Sequence, residues 1–170
     1  MKRLLLCLLL SACAPSAADR LEADLKSAAS ATQVLTQWCV DKKLAQPAVV
    51  HAVRVAMDVP ASSETRAALH AAPDEVLRYR RVDLVCGGQV LSQADNWYRP
   101  TRLTAQMNAA LDTTDAPFGT VVKPLGFRRD ILAVSRPRDP RYILQVRAVL
   151  IAADETPFSL VIENYTQALH

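Results

Sequence analysis

The sequence predicts an α+β fold: a single domain with a mostly antiparallel sheet of about six strands and flanking helices. Three observations carry this. Helical periodicity fills the early part of the chain, and β-rich runs then follow one another in hairpin order between turn residues. The third is composition. At 170 residues, 51% hydrophobic and 22% charged, the chain can bury one core and is not a disordered polymer.

The N-terminus reads as an address. Met1-Lys2-Arg3 is positively charged, Leu4 to Leu10 is an apolar run broken only by Cys7, and Ser11-Ala12-Cys13 follows. Charge, apolar stretch and small residues make a secretory pattern. Leu10-Ser11-Ala12-Cys13 also looks like a bacterial lipobox, whose Cys is acylated and becomes the new N-terminus. An ordinary signal peptide cut near Ala14 is the alternative. Residues 1–12 are therefore expected to be a signal peptide ending at lipidated Cys13, residues 13–18 a tether, and residues 19–170 the folded domain. The apolar run is far short of the roughly 20 residues that span a bilayer, whereas a diacylated, N-acylated Cys supplies several chains for stable anchoring. Ala14 at the second position, rather than Asp, resembles lipoproteins sorted to the outer membrane. The expected location is periplasmic, lipid-anchored, at the outer membrane.

Removing Lys2 and Arg3 lowers the formal charge from +3 to +1, so no basic stripe is on offer and no nucleic-acid partner is expected. Cys39 and Cys86 remain after Cys7 and Cys13 are assigned to the leader and the anchor. In an oxidising compartment a disulfide between them and a pair of buried free thiols both satisfy the sequence. There is no CxxC, HExxH, EF-hand loop, GxxxxGK, GxGxxG or GxSxG, and only three His, so the default reading has no metal and no nucleotide.

From Asp19 the spacing of Leu21, Leu25, Ala28, Val34, Leu35, Trp38 and Cys39 predicts a helix, with Asp19 as a candidate cap, Lys42-Lys43 at its end and Pro47 beyond it. Residues 48–57 read as a strand. Ser62 or Ser63 caps a short helix that ends before Pro73. Residues 75–86 and 89–99 form a hairpin across Gly87-Gly88. Pro100 opens a helix with Leu103, Met107, Ala110 and Leu111 on one face and Thr101 or Thr104 as caps. A loop-rich stretch covers 112–126. Strands follow at 127–134, 141–152 and 157–166, separated by turns at 136–140 and 154–157.

Two groups of residues stand out. Arg78 and Arg80 continue the face of Val82, Leu84 and Cys86 at the two-residue strand period. Arginine seldom enters a core unpaired. Either both reach solvent past the covered sheet, or at least one lines a cavity and meets an anion, for which a bidentate guanidinium suits a carboxylate. Glu163 interrupts an apolar run from Phe158 to Tyr165. It is either the partner of a structural Arg or a pocket carboxylate that handles protons. Arg80 and Glu163 on neighbouring strands would make an anion clamp with an adjacent acid.

Five ordered segments then resemble the bacterial chorismate pyruvate-lyase (4-hydroxybenzoate synthase) family, whose fold is shared by ligand-binding domains of some transcription regulators. They are Tyr79 to Gly88, Trp97-Tyr98-Arg99-Pro100, Thr113 to Gly119, Phe127-Arg128-Arg129-Asp130 and Pro157 to Glu163. The resemblance runs from about residue 75 to 166. It implies an antiparallel sheet of about six strands, a ligand buried under helical flaps, and no metal or cofactor. Arg80 matches the arginine that binds the substrate carboxylate, and Glu163 the acid beside the leaving enolpyruvyl ether. Phe118 stands where the family has Leu in a ligand-contacting Pro-Leu-Gly segment, which reshapes the pocket. Arg78, Arg128 and Arg129 are further candidates, and Arg129 belongs to a family Arg-Asp pair.

The expected function is binding of a small aryl or cyclohexadienyl carboxylate, with elimination of pyruvate from chorismate to give 4-hydroxybenzoate if the chain is a lyase. Glu163 would then be the general acid. The compartment argues against turnover, because chorismate is made in the cytoplasm. The alternatives are a non-catalytic periplasmic lipoprotein that binds a small aromatic acid, and a structural envelope protein in which Arg80 and Glu163 form only a buried ion pair.

Overall fold

The computed structural model describes residues 14–170. The signal peptide and lipobox expected at residues 1–13, Cys13 included, lie outside the described residues. The strands are β1 (His51–Val55), β2 (Arg78–Cys86), β3 (Gln89–Tyr98), β4 (Arg128–Ser135), β5 (Tyr142–Ile151) and β6 (Pro157–Thr166). All pairs are antiparallel, in the order β1-β2-β3-β6-β5-β4. Two three-stranded meanders thus meet along β3 and β6. The α+β class, the antiparallel sheet and the count of six agree with the sequence reading.

The helices are α1 (Ala17–Ser27), α2 (Ala31–Asp41), α3 (Ser63–Ala68), α4 (Ala105–Thr113) and α5 (Phe118–Val122), with 3-10 turns at Pro100–Arg102, Lys123–Leu125 and Gln167–Leu169. The single helix expected from Asp19 is two helices, broken at Ala28–Ser30 where Ala28 and Ser30 are extended. At about 100° per residue, an unbroken helix would point Leu25 and Val34 in opposite directions. The break lets both be buried in one core. Asp19 is not the cap: Ser16 caps α1 and Asp19 completes the capping box from the third helical position. Ser62 and Thr104 cap α3 and α4 through their side chains.

The hairpin between β2 and β3 turns on Gly87 and Gly88, with φ of 57° and 80°. Gly87 is fixed a second time, because a Cβ there would collide with the Leu44 carbonyl. The strand expected at 48–57 shortens to β1, an edge strand on which only Ala52 is buried. The stretch expected to be loop carries α5, whose Phe118 and Val122 are buried.

The two sheet faces differ. The inner face joins α1 and α2 in the main core through Leu21, Leu35, Val82, Leu84, Val146 and Tyr165. Beside it, Tyr98, Leu111, Phe118 and Phe158 pack under α4 and α5. The outer face carries a polar ladder, with Arg81 on Asp95, Gln93 on Asp83 and Gln145 on Asn164. α3 covers one end of that face through Leu69, Val149 and Leu160. Cys39 of α2 is disulfide-bonded to Cys86 at the end of β2, with Cα atoms 6.3 Å apart and both residues fully buried. Of the two states the sequence allowed, the structure has the disulfide.

Candidate ligand-binding site

A cavity of about 50 Å³ lies between the middle of the inner sheet face and the helices that cover it. Its apolar floor comes from Val82, Leu84, Ala94, Leu150 and Val161. Its roof is the α1–α2 junction with the first turn of α2, together with Pro117, Phe118 and Gly119 at the start of α5. Its polar lining is Asn96, Arg129 and Glu163 on the sheet with Ser30 and Thr32 in the roof. A cavity that takes up benzene has a volume of about 150 Å³. A six-membered ring therefore enters only if the α2 and α5 lips part.

Glu163 is buried, as its position in an apolar strand requires. Its partner is Arg129, whose Nη2 lies 2.6 Å from Glu163 Oε2, with both side chains nearly inaccessible. The fully buried Tyr165, one same-face position along β6, donates its hydroxyl to the same oxygen at 2.9 Å. Burial drives the Tyr165 pKa well above its usual value, and the Glu163 charge adds to this. For Arg129, burial acts to lower the pKa, but the Glu163 charge and the hydrogen bond leave it raised. Arg129 Nη1 is buried without a hydrogen-bond partner.

Arg80 is also buried, at 5% exposure. Its Nη2 donates to the Ala116 carbonyl at 3.2 Å, while Nε and Nη1 are buried and unpartnered. Among the ion pairs of the described residues, none involves Arg80. Burial, and then the positive charge of Arg54, pull its pKa below the usual arginine value. Its guanidinium donates into the loop leading to α5; Arg80 is outside the cavity lining, borders a separate groove with Arg54 and Met57, and adjoins the cavity through its register partner on β3, Asn96.

Two expectations are corrected. Arg80 and Glu163 are not on neighbouring strands, because β3 lies between β2 and β6. Two strand spacings and a two-residue offset along the strands together separate their backbones by about 12 Å. Nor are they an ion pair, since Glu163 is taken by Arg129. They also sit on different rungs of the inner face: Arg80 is opposite Asn96, Asn96 is opposite Val161, and Glu163 is opposite Ala94.

The other singled-out residues fall in different surroundings. Phe118 lines the cavity and stacks on Tyr98, with ring centroids 5.3 Å apart. Arg78 is outside the cavity lining and forms a two-pronged pair with Asp112 at 2.6 and 3.1 Å, tying β2 to α4. Arg128 is exposed and pairs with Asp130 and Glu155. Asn96 is a site residue that the sequence reading does not single out. Its only signal is the two-residue period it shares with Ala94 and Tyr98, and a buried amide in that position looks like any strand polar residue. Among the described residues no cluster of three or more His, Cys, Asp or Glu could hold a metal, and no helix is long and apolar enough to cross a membrane.

No family model matches the chain. It is 41% identical to the uncharacterized protein y4mC of Sinorhizobium fredii over an alignment of 170 positions, covering 86% of this chain and 72% of that protein. Among solved structures it is similar to full-length PhnF from Mycobacterium smegmatis (TM-score 0.59, 13% identity, 84% of this chain and 65% of PhnF). The isolated PhnF effector domain gives a TM-score of 0.58 at 14% identity, covering 82% of this chain and 90% of that domain. A possible transcriptional regulator, YydK from Bacillus subtilis, gives 0.53 at 16% identity over 71% of this chain, which spans only 58% of YydK. These likenesses show the fold: the chorismate-lyase-like α+β architecture that the PhnF effector domain shares.

Proposed function

We propose that this chain, which belongs to the same family as y4mC of Sinorhizobium fredii, is a binding protein for a small aryl or cyclohexadienyl carboxylate. The observation that carries the reading is Arg80, a buried guanidinium with two nitrogens unpartnered, which joins none of the ion pairs of the described residues while Asp112 and Asp115 act on its charge only from beyond contact. A buried charge left without a counterion costs several kcal/mol. A ligand carboxylate meeting Nε and Nη1 side by side would repay that cost with two charge-assisted hydrogen bonds. From there a ring crosses the apolar floor towards Asn96, Arg129 and Glu163. A polar group on its far side would donate to Glu163 or accept from the free Nη1 of Arg129.

Turnover of chorismate is the second reading, and the observation in its favour is that Glu163 lines the cavity. Against it, Glu163 Oε2 already accepts from Arg129 and Tyr165, the state of an ion-paired acceptor and not of a proton donor. We therefore put binding ahead of catalysis. We also propose that the protein works outside the cytoplasm, anchored by acylated Cys13 at the outer membrane. The buried Cys39–Cys86 disulfide supports export to an oxidising compartment, where such bonds persist.

The test is calorimetric titration of the full chain with 4-hydroxybenzoate, together with an assay for pyruvate release from chorismate. The expected result is saturable 4-hydroxybenzoate binding without pyruvate release, with binding lost in Arg80→Met. Undiminished binding by Arg80→Met would remove the anion clamp. Pyruvate release that disappears in Glu163→Gln would put the lyase first.

A further inference from the structure

The inner cavity does not end at its roof. An open cleft of about 520 Å³ runs between α2 and the α5 segment, and Ala29, Ser30, Thr32, Gly119 and Phe127 line both spaces. The cleft is thus the vestibule of the cavity, and it is the larger of the two spaces. Its walls are uncharged, with Gln33, Thr36 and Gln37 on α2 facing Thr120 on α5. Lys123 is the exception: it is the one charged residue in the lining, is exposed, and joins none of the ion pairs of the described residues.

From this we infer that the ligand is longer than a single ring: an aryl acid with a substituent opposite its carboxylate, which leaves through the α2–α5 cleft and ends in an anionic group at Lys123. The inference rests on the reading that Arg80 holds the ring carboxylate. The direction follows from the lining. The vestibule meets the cavity along Ala29, Ser30, Thr32, Gly119 and Phe127, whereas Arg80 lines neither space and adjoins the cavity through its register partner Asn96. A substituent pointing away from Arg80 therefore emerges there. Its neutral portion finds Thr and Gln side chains, which hydrogen-bond a polar chain without fixing a charge. Its terminus finds one cation and no carboxylate in the lining.

Three probes titrated into the full chain test this: 4-hydroxybenzoate, 4-butoxybenzoate and 4-(3-carboxypropoxy)benzoate. Both extended compounds are expected to bind at least as tightly as 4-hydroxybenzoate. The carboxylate-ended arm should exceed the neutral arm about fivefold at low salt, an advantage that shrinks as ionic strength rises. In Lys123→Glu that ratio should fall to one or below, with the melting temperature unchanged because the residue is on the surface. Rejection of both extended compounds, or a ratio indifferent to Lys123→Glu, overturns the inference. Titrations of Arg80→Met separate the two readings. Arms that depend on Lys123 but not on Arg80 leave the cleft standing and remove the clamp. Binding of 4-hydroxybenzoate through Arg80 with both arms rejected removes the cleft alone, and no binding by any probe removes both.

Discussion

Tyr165 donates its hydroxyl to Oε2 of Glu163, the same oxygen that Arg129 holds, so one buried carboxylate oxygen at the cavity wall carries two donors. Glu163→Gln removes the negative charge and leaves Arg129 as an uncompensated buried cation. The expected loss of stability is about 3–5 kcal/mol. Arg129→Met combined with Glu163→Leu should recover most of it, because the apolar pair needs no desolvation. Denaturant titration of the two variants checks this. A Glu163→Gln protein as stable as the wild type would mean that the ion pair is not formed.

The alkaline limb of stability follows from three tyrosines, Tyr79, Tyr98 and Tyr165, all of them shifted upward chiefly by burial. Burial, with the hydrogen bond to Asp95 behind it, pushes the Tyr79 pKa up to about 12 from 10.0. Tyr165 is shifted the same way. Between pH 10 and about 12 the unfolded chain has released a proton that folded Tyr79 still holds, so stability present below pH 10 falls as pH rises through that window. Melting temperatures taken from pH 9 to 12 should decline, and Tyr79→Phe should decline less steeply. Parallel curves would show that Tyr79 titrates alike in both states.

The Cys39–Cys86 bond closes a loop across 47 residues and pins the C-terminal end of α2 to the sheet. Chain entropy assigns such a closure roughly 4 kcal/mol. Replacing both cysteines by Ala should lower the melting temperature by roughly 8–16 °C for a domain of this size. A shift of a degree or two would show that the unfolded chain is already constrained there.

How far the sequence carried the reading depends on what kind of pattern each feature leaves. The strands were legible because their turn residues and two-residue periods are local, and Gly87-Gly88 marks its hairpin outright. The α1–α2 break was missed although its signal is local: Val34 comes nine positions after Leu25, which puts them on opposite sides of an unbroken helix. Glu163 and Arg80 were legible as charges in apolar strands. Their partners were not, since strand order decides neighbours, and β6 enters the sheet beside β3 rather than β2. The partnering of Glu163 with Arg129 on β4, across β5, leaves no trace in the spacing of either strand.

The anchor is tested at Cys13. Cys13→Ser should abolish incorporation of labelled fatty acid and move the protein from the membrane fraction to the soluble one. A labelled Cys13→Ser protein would remove the lipobox reading, and an unlabelled one still cleaved near Ala14 would show that the leader can act as an ordinary signal peptide.

Arg80 makes the sharpest demand, because binding and stability should move in opposite directions there. In the unliganded protein its guanidinium keeps one hydrogen bond, to Ala116, and two buried nitrogens with none. Arg80→Met retains the length of the side chain and discards the unpaired charge, so the unliganded variant should be more stable than wild type by about 1–3 kcal/mol. The same variant should gain nothing from 4-hydroxybenzoate, whereas wild type at a hundredfold excess over Kd should gain about 2.7 kcal/mol. Thermal unfolding of both proteins with and without the acid reads all four values. If Arg80→Met is instead less stable and still responds to the acid, the guanidinium belongs to the fold, and the carboxylate of the ligand must be met elsewhere.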